Sequence, residues 1–268
     1  MTNYTLYWRS FRGLLLRDIS VLRREVIPFL IRTVMNPLMF VFVFTYLFPK
    51  MGQGFQSSAT AGGFGTLILP GLLAVGIFIQ GIMATALPLS MEIGATREIH
   101  DRVMSPLPVT WVAIEKIVFS AVQSMLAALV IFPLVYFIPA TPVQVHVSSW
   151  FTLIGILVLA SLVAGTVGLA IGTIVKPEQI ALMFGIIVVP VTFFGCVYYP
   201  WAAMYKVRWL QILVLVNPLV YMSEGLRAAL VPDIPHMSAW AYLGAGALFA
   251  LILTVLSLRM FARRVTSL

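Results

Sequence analysis

Residues 92–108, EIGATREIHDRVMSPLP, place five of the chain's 26 Asp, Glu, Lys and Arg residues between two long apolar stretches. Glu98, Asp101 and Arg102 fall at helical spacing, with Thr96, Arg97 and His100 beside them. Ser105-Pro106 and Pro108 end any helix, because proline lacks the backbone donor and crowds the preceding turn. A short charged helix between two apolar spans cannot pack into lipid, so it faces water or another protein. The two readings are a solvated loop and a docking site for a partner, and we expect the docking site.

A second constellation lies in 217–227, NPLVYMSEGLR. Tyr221, Glu224 and Arg227 recur every three residues and share one helix face, where an i,i+3 ion pair is feasible. With Asn217 they either staple an outer loop or touch a substrate at an outer gate.

Other chemistry is missing. The four lysines, 50, 116, 176 and 206, follow Pro, Glu, Val and Tyr, so no GxxxxGK[ST] phosphate-binding loop exists and the chain is not by itself a P-loop ATPase. His100, His146 and His236 are far apart and form no HExxH pair, so no metal is expected. Cys196 is the only cysteine, which excludes an internal disulfide or a cysteine-rich metal site. No nucleophile–base or acid–base pair suggests an intramembrane enzyme. No ionisable residue falls in the expected middle of a span, which disfavours coupling to an ion gradient.

Composition sets the frame that must hold these residues. Of 268 residues 61% are hydrophobic and 10% charged, with mean hydropathy +1.02. A soluble domain of this size would have a largely apolar surface. Apolar runs of about 20 residues, enough to cross a ~30 Å hydrocarbon core, predict an all-α membrane protein. The alternating segments of a β-barrel are absent. The net charge of +8 sits at segment ends, as the positive-inside rule requires, and does not signal nucleic acid.

Along the chain, 3–25 reads as an amphipathic helix in the headgroup region, or one packed on the protein's own body. A removable signal peptide is not expected. Spans are expected at 29–48, 66–91, 112–138, 150–175, 180–199 and 239–258, with Pro37 kinking the first. Gly165, Gly168 and Gly172 in the fourth suit close helix packing, within the chain or between copies. Residues 200–230 hold an aromatic group and an apolar run too short to cross, and read as an outer re-entrant segment. With six spans, one side carries 13 basic residues: six up to and including Arg32, three from Arg97 to Lys116, Lys176, and three at the C-terminus. The other side carries four, Lys50, Lys206, Arg208 and Arg227. Both termini and the island are therefore expected in the cytoplasm.

The order of LLLRDISVLRRE, Asn36-Pro37, LPGLL, ME-x-G-A-T-R-E, SPLPV and NPLVYMSEGLR resembles the permeases of ABC-2 type exporters over essentially the whole chain. It is most similar to the branch with daunorubicin-resistance and nodulation-factor permeases; polysaccharide and teichoic-acid exporters are more distant. The resemblance implies one transmembrane domain working as a homodimer in the bacterial inner membrane, with two cytosolic nucleotide-binding subunits. Those partners would bind ATP and magnesium, and this chain no cofactor. It also implies a coupling helix at Thr96 through Val103, containing Arg97, Glu98, His100, Asp101 and Arg102. Where the family shows G-T-x-E, this chain has Gly94-Ala95-Thr96-Arg97-Glu98, one residue longer. Re-entrant helices before the last span match 200–230, and Asn217, Tyr221, Glu224 and Arg227 fit NP-x-x-Y-x-x-E-G-x-R. The implied function is export of amphipathic or lipid-linked cargo, such as drug, lipid or glycolipid, driven by ATP hydrolysis on the partner. The rival is an ATP-independent channel or secondary transporter.

Overall fold

A computed structural model describes residues 3–47, 50–51, 63–94, 99, 107–139 and 143–266. Among them every regular element is helical. Helix α1 (Asn3–Arg24) is separated from α2 (Val26–Leu47) by Glu25 alone. Pro28 falls in the first turn of α2, where its missing N–H leaves no bond unmade. Then follow α3 (Gly63–Gly94), α4 (Val109–Phe137), α5 (Trp150–Ile174), α6 (Pro177–Phe193), α7 (Arg208–Val216), α8 (Pro218–Leu230) and α9 (Trp240–Thr266).

Five of these, α2, α3, α4, α5 and α9, are long and apolar enough to cross a membrane. Helix α6 is shorter: at about 1.5 Å per residue it reaches roughly 25 Å, short of a ~30 Å core. The expected span at 180–199 thus ends as a helix at Phe193. The cause is local. Gly195 and Cys196 turn the chain, with Cys196 at φ 52°, and the Val197 backbone is laid directly on α3. A Cβ on Gly71 of α3 would lie 2.0 Å from the Val197 carbonyl oxygen, so only glycine admits this approach. Helices α7 and α8 meet at 100°, forming the bent element expected at 200–230.

Helix α3 is the centre of the fold, packed against α4, α5 and α8. Many of its apolar residues, including Leu69, Ile77 and Ile82, are fully buried. Small residues set how closely α5 approaches it. A Cβ on Gly168 would stand 3.0 Å from Ile82 backbone, and one on Gly172 would stand 2.7 Å from the Ala86 carbonyl. Gly165 faces α4 instead, with Ser120 Oγ at 3.0 Å from its would-be Cβ. The three glycines therefore pack helices inside one chain. Large apolar side chains remain on the outside of α2 and α9, such as Ile31, Met39, Leu251 and Leu256.

The fold has two distinct ends. At one, Gly94 abuts Pro177, and α1 meets the start of α4. At the other, residues 143–149 bond to the end of α8: His146 N–H donates to Leu230 O (2.9 Å), and Ser148 N–H to Ala229 O (3.0 Å). These bonds satisfy carbonyls that a helix C-terminus otherwise leaves unpaired.

Candidate functional site

The island begins at the end of α3 and ends at the start of α4. Thr96, Arg97, Glu98, His100, Asp101 and Arg102 lie outside the described residues. Ile99 is described, and it is fully buried. It joins a small apolar cluster at this end with Leu89, Ile93, Leu107, Val112 and Phe261. The apolar residue in a charged run thus ties the island to α3, α4 and the end of α9.

Beneath Ile99, three helices each contribute one charge. Lys116 Nζ of α4 donates to Glu92 Oε1 of α3 at 2.8 Å and to Asp18 Oδ2 of α1 at 3.2 Å. All three side chains are buried, with Lys116 only 4% exposed. Burial removes water that would screen the charges, and the bonds are charge-assisted, so the cluster is held mainly by its own complementarity. Lys116 lies about two turns inside α4, since the helix begins at Val109 rather than at the expected boundary of 112. Glu115 beside it is also fully buried. Sequence reasoning counted Lys116 as a loop-side cation and missed its pairing. The only signal was an excess of opposite charges at the same end of three neighbouring helices.

A polar chain continues inward from this cluster. Thr33 Oγ1 donates to Gln80 Oε1 (3.3 Å), and Gln80 Nε2 donates to Gln123 Oε1 (3.2 Å), connecting α2, α3 and α4. Ser120 Oγ donates to Gly81 O at 2.8 Å. Around these groups are two cavities. One of about 470 Å³ sits at the island end between α1, α2, α3 and α4, and one of about 350 Å³ lies further in, between α2, α3 and α6.

The second constellation is at the opposite end. Glu224 and Arg227 of α8 form an ion pair with both side chains fully buried. Glu224 Oε1 also accepts from Trp201 N–H (3.0 Å), and Oε2 from Met237 N–H (2.9 Å). Arg227 Nη2 donates to the Cys196 carbonyl at 2.9 Å. Asn217 Oδ1 accepts from Leu219 N–H to cap α8, while its Nδ2 donates to Val191 O at 2.7 Å. Tyr221 O–H donates to Leu215 O at 2.8 Å. The four residues bind α8 to the end of α6, to α7 and to the approach to α9, mostly through bonds to backbone groups. Among the described residues, no three His, Cys, Asp or Glu side chains gather as metal ligands would.

The two ends serve different geometries. One bears a charged segment rooted in a buried charge cluster, and the other a sealed polar knot. No curated protein matches the sequence. A family model described as the ABC-2 type transporter matches residues 9–231, from α1 through α8. That match covers most of the chain, which therefore belongs to the ABC-2 type transporter family and is the membrane-spanning permease component of an ABC-type transporter.

Proposed function

We propose that this permease is an exporter subunit that works as a homodimer with two cytosolic ATPase subunits, and that residues 96–103 are where each ATPase pushes. The observation that carries the reading is the closure of the island's base. Glu92 and Lys116 bracket the island and are joined across it, and Asp18 extends the joint to α1. A displacement delivered to the segment reaches a base at which three helices are joined. It moves α3, α4 and α1 together.

Several finer assignments accompany it. α6 and the turn that follows it make the fifth of six crossings. Helix α1 lies at the cytoplasmic headgroup boundary, where its basic flank suits anionic lipid. The 13-to-4 distribution of basic residues supports cytoplasmic termini in a bacterial inner membrane. Exposed apolar faces on α2 and α9 supply surface for lipid and for a second copy. The cargo is an amphipathic or lipid-linked molecule.

The test is affinity purification of the tagged permease from its native membrane in mild detergent. A P-loop ATPase should co-purify near one copy per permease. It should be lost from Glu98→Arg while the permease keeps its oligomeric size. A pure permease that moves cargo into proteoliposomes with no ATPase present would overturn the reading.

A further inference from the structure

The two cavities share two residues, Arg32 and Met83. They are successive compartments along α2 and α3, and Arg32 stands at the junction. The compartments differ in chemistry. The island-end cavity is lined by charges of both signs: Arg17, Arg32 and Lys116 against Asp18, Glu25 and Glu92. Much of this is internally compensated, because Lys116 binds both Asp18 and Glu92. The inner cavity is lined by apolar side chains including Pro37, Phe40, Leu72 and Ile79. Among the described residues, Arg32 is the only charged side chain lining it. Among those residues Arg32 also forms no hydrogen bond or ion pair, and Glu25 is the acid whose field reaches it. Each cavity falls within the roughly 300–1,000 Å³ range of ligand pockets.

Arg32 is exposed at this junction, so its guanidinium is open to an anion. Its planar fork of donors suits a phosphate or carboxylate, which can take two parallel bonds. From Arg32 to Phe40 is about 12 Å of helix, so the inner chamber extends well beyond the charged head. We propose that the two cavities form one slot for an anionic amphiphile, its phosphate or carboxylate against Arg32 and its apolar chain along Phe40, Leu72 and Ile79. This deepens the export reading, on which it rests for treating the occupant as cargo. A phospholipid of the bilayer offers the same chemistry.

The experiment is binding of decyl phosphate to the purified permease in a neutral detergent. Inorganic phosphate and decyl phosphocholine serve as the headgroup-only and zwitterionic arms. Decyl phosphate should bind about tenfold or more tightly than either. Arg32→Gln should lose that margin, and Arg32→Lys should keep most of it. Ile79→Trp, which fills the inner chamber, should weaken decyl phosphate by a similar factor. Equal binding of decyl phosphate and decyl phosphocholine, or unchanged binding in folded Arg32→Gln, would overturn the slot. So would unchanged binding in Ile79→Trp, because the chain would then lie elsewhere. Addition of phosphatidylglycerol separates the sources: displacement of the probe assigns the slot to membrane lipid, and retention assigns it to a transported amphiphile. The assay needs no ATPase, so its failure leaves the exporter reading standing. Intact binding with no ATP-driven movement would count against that reading alone.

Discussion

Glu92 and Lys116 meet at 2.8 Å across the base of a 24-residue separation that contains the whole charged island. The pair makes the island a closed unit, and Asp18 on the same ammonium makes α1 part of it. Removing the cation alone takes a shared donor from two buried carboxylates. Lys116→Met should therefore destabilise this end by about 3–5 kcal/mol, the usual cost of breaking a buried ion pair from one side. Lys116→Arg should be much milder, because the charge remains. The measurement is thermal unfolding in detergent, with ATPase stimulation by cargo as the functional readout. A Lys116→Met protein as stable and as well coupled as wild type would show that the cluster transmits nothing.

Glu224 and Arg227 should behave differently. Each holds backbone groups outside its own helix, so either loss opens the knot between α8, Cys196, Trp201 and Met237. Glu224→Gln and Arg227→Met should each cost about 3–5 kcal/mol and abolish transport. The ATPase should remain bound, since the knot lies at the far end from the island. Release of the ATPase from a folded Arg227→Met permease would mean that the two ends are not separate.

The long helices were legible because an apolar run of about 20 residues matches the thickness of a bilayer core and little else, and five such helices are present, the last running on to Thr266 where its span was expected to end at 258. The bent element at 200–230 was legible for the converse reason: its apolar run is too short, and Asn217-Pro218 interrupts it. The end of α6 was not. Apolar composition continues through Tyr199, while the turn depends on Cys196 at φ 52° and on Gly71 from another helix. The ion pair of Glu224 and Arg227 follows a local i,i+3 rule and could be anticipated. The Asp18–Lys116–Glu92 cluster crosses three helices, and no periodicity encodes which charges at one membrane face will meet.

Gly172 gives a packing test that involves no charge. A methyl group there would press on the Ala86 carbonyl of α3, and neither backbone can move without separating the two helices. Gly172→Ala should cost about 1–3 kcal/mol, and Gly172→Leu should prevent stable assembly of α5 on α3. Gly155, with open space where its Cβ would stand, is the control, and Gly155→Ala should be neutral or slightly stabilising. Thermal unfolding of the three variants checks the order. A tolerant Gly172→Leu would show that α3 and α5 are not in direct contact.

The orientation is open to a chemical test. With Cys196 replaced, single cysteines at His100 and Thr266 should resist a membrane-impermeant thiol reagent in intact cells and react after permeabilisation. A cysteine at Trp209 should react from outside, because 13 basic residues mark the opposite face as cytoplasmic. Labelling of either of the first two in intact cells would invert the molecule.

Ile99 and Glu98 are neighbours in sequence, and the proposed docking gives them opposite tasks, which allows anchoring and docking to be tested apart. Ile99 is buried with Phe261 and Val112, so Ile99→Ala removes packing that holds the island to the membrane domain. Its cost should be about 2–5 kcal/mol, as for other large-to-small changes in a core, and much of it should appear as local loosening of this end. Glu98 is one of the residues that the ABC-2 resemblance places on the coupling helix. A carboxylate there can accept charge-assisted bonds from the partner, and breaking a desolvated contact from one side costs about 2–5 kcal/mol of binding. Glu98→Arg adds repulsion and should weaken co-purification of the ATPase more than Glu98→Gln does, with permease stability unchanged. Ile99→Ala should show the other pattern: the ATPase still binds, but its turnover no longer responds to cargo because the island moves without carrying α3 and α4. Thermal unfolding, co-purification and cargo-stimulated ATPase activity on the three variants distinguish these outcomes. Wild-type coupling in both Glu98→Arg and Ile99→Ala would reduce the island to a solvated loop.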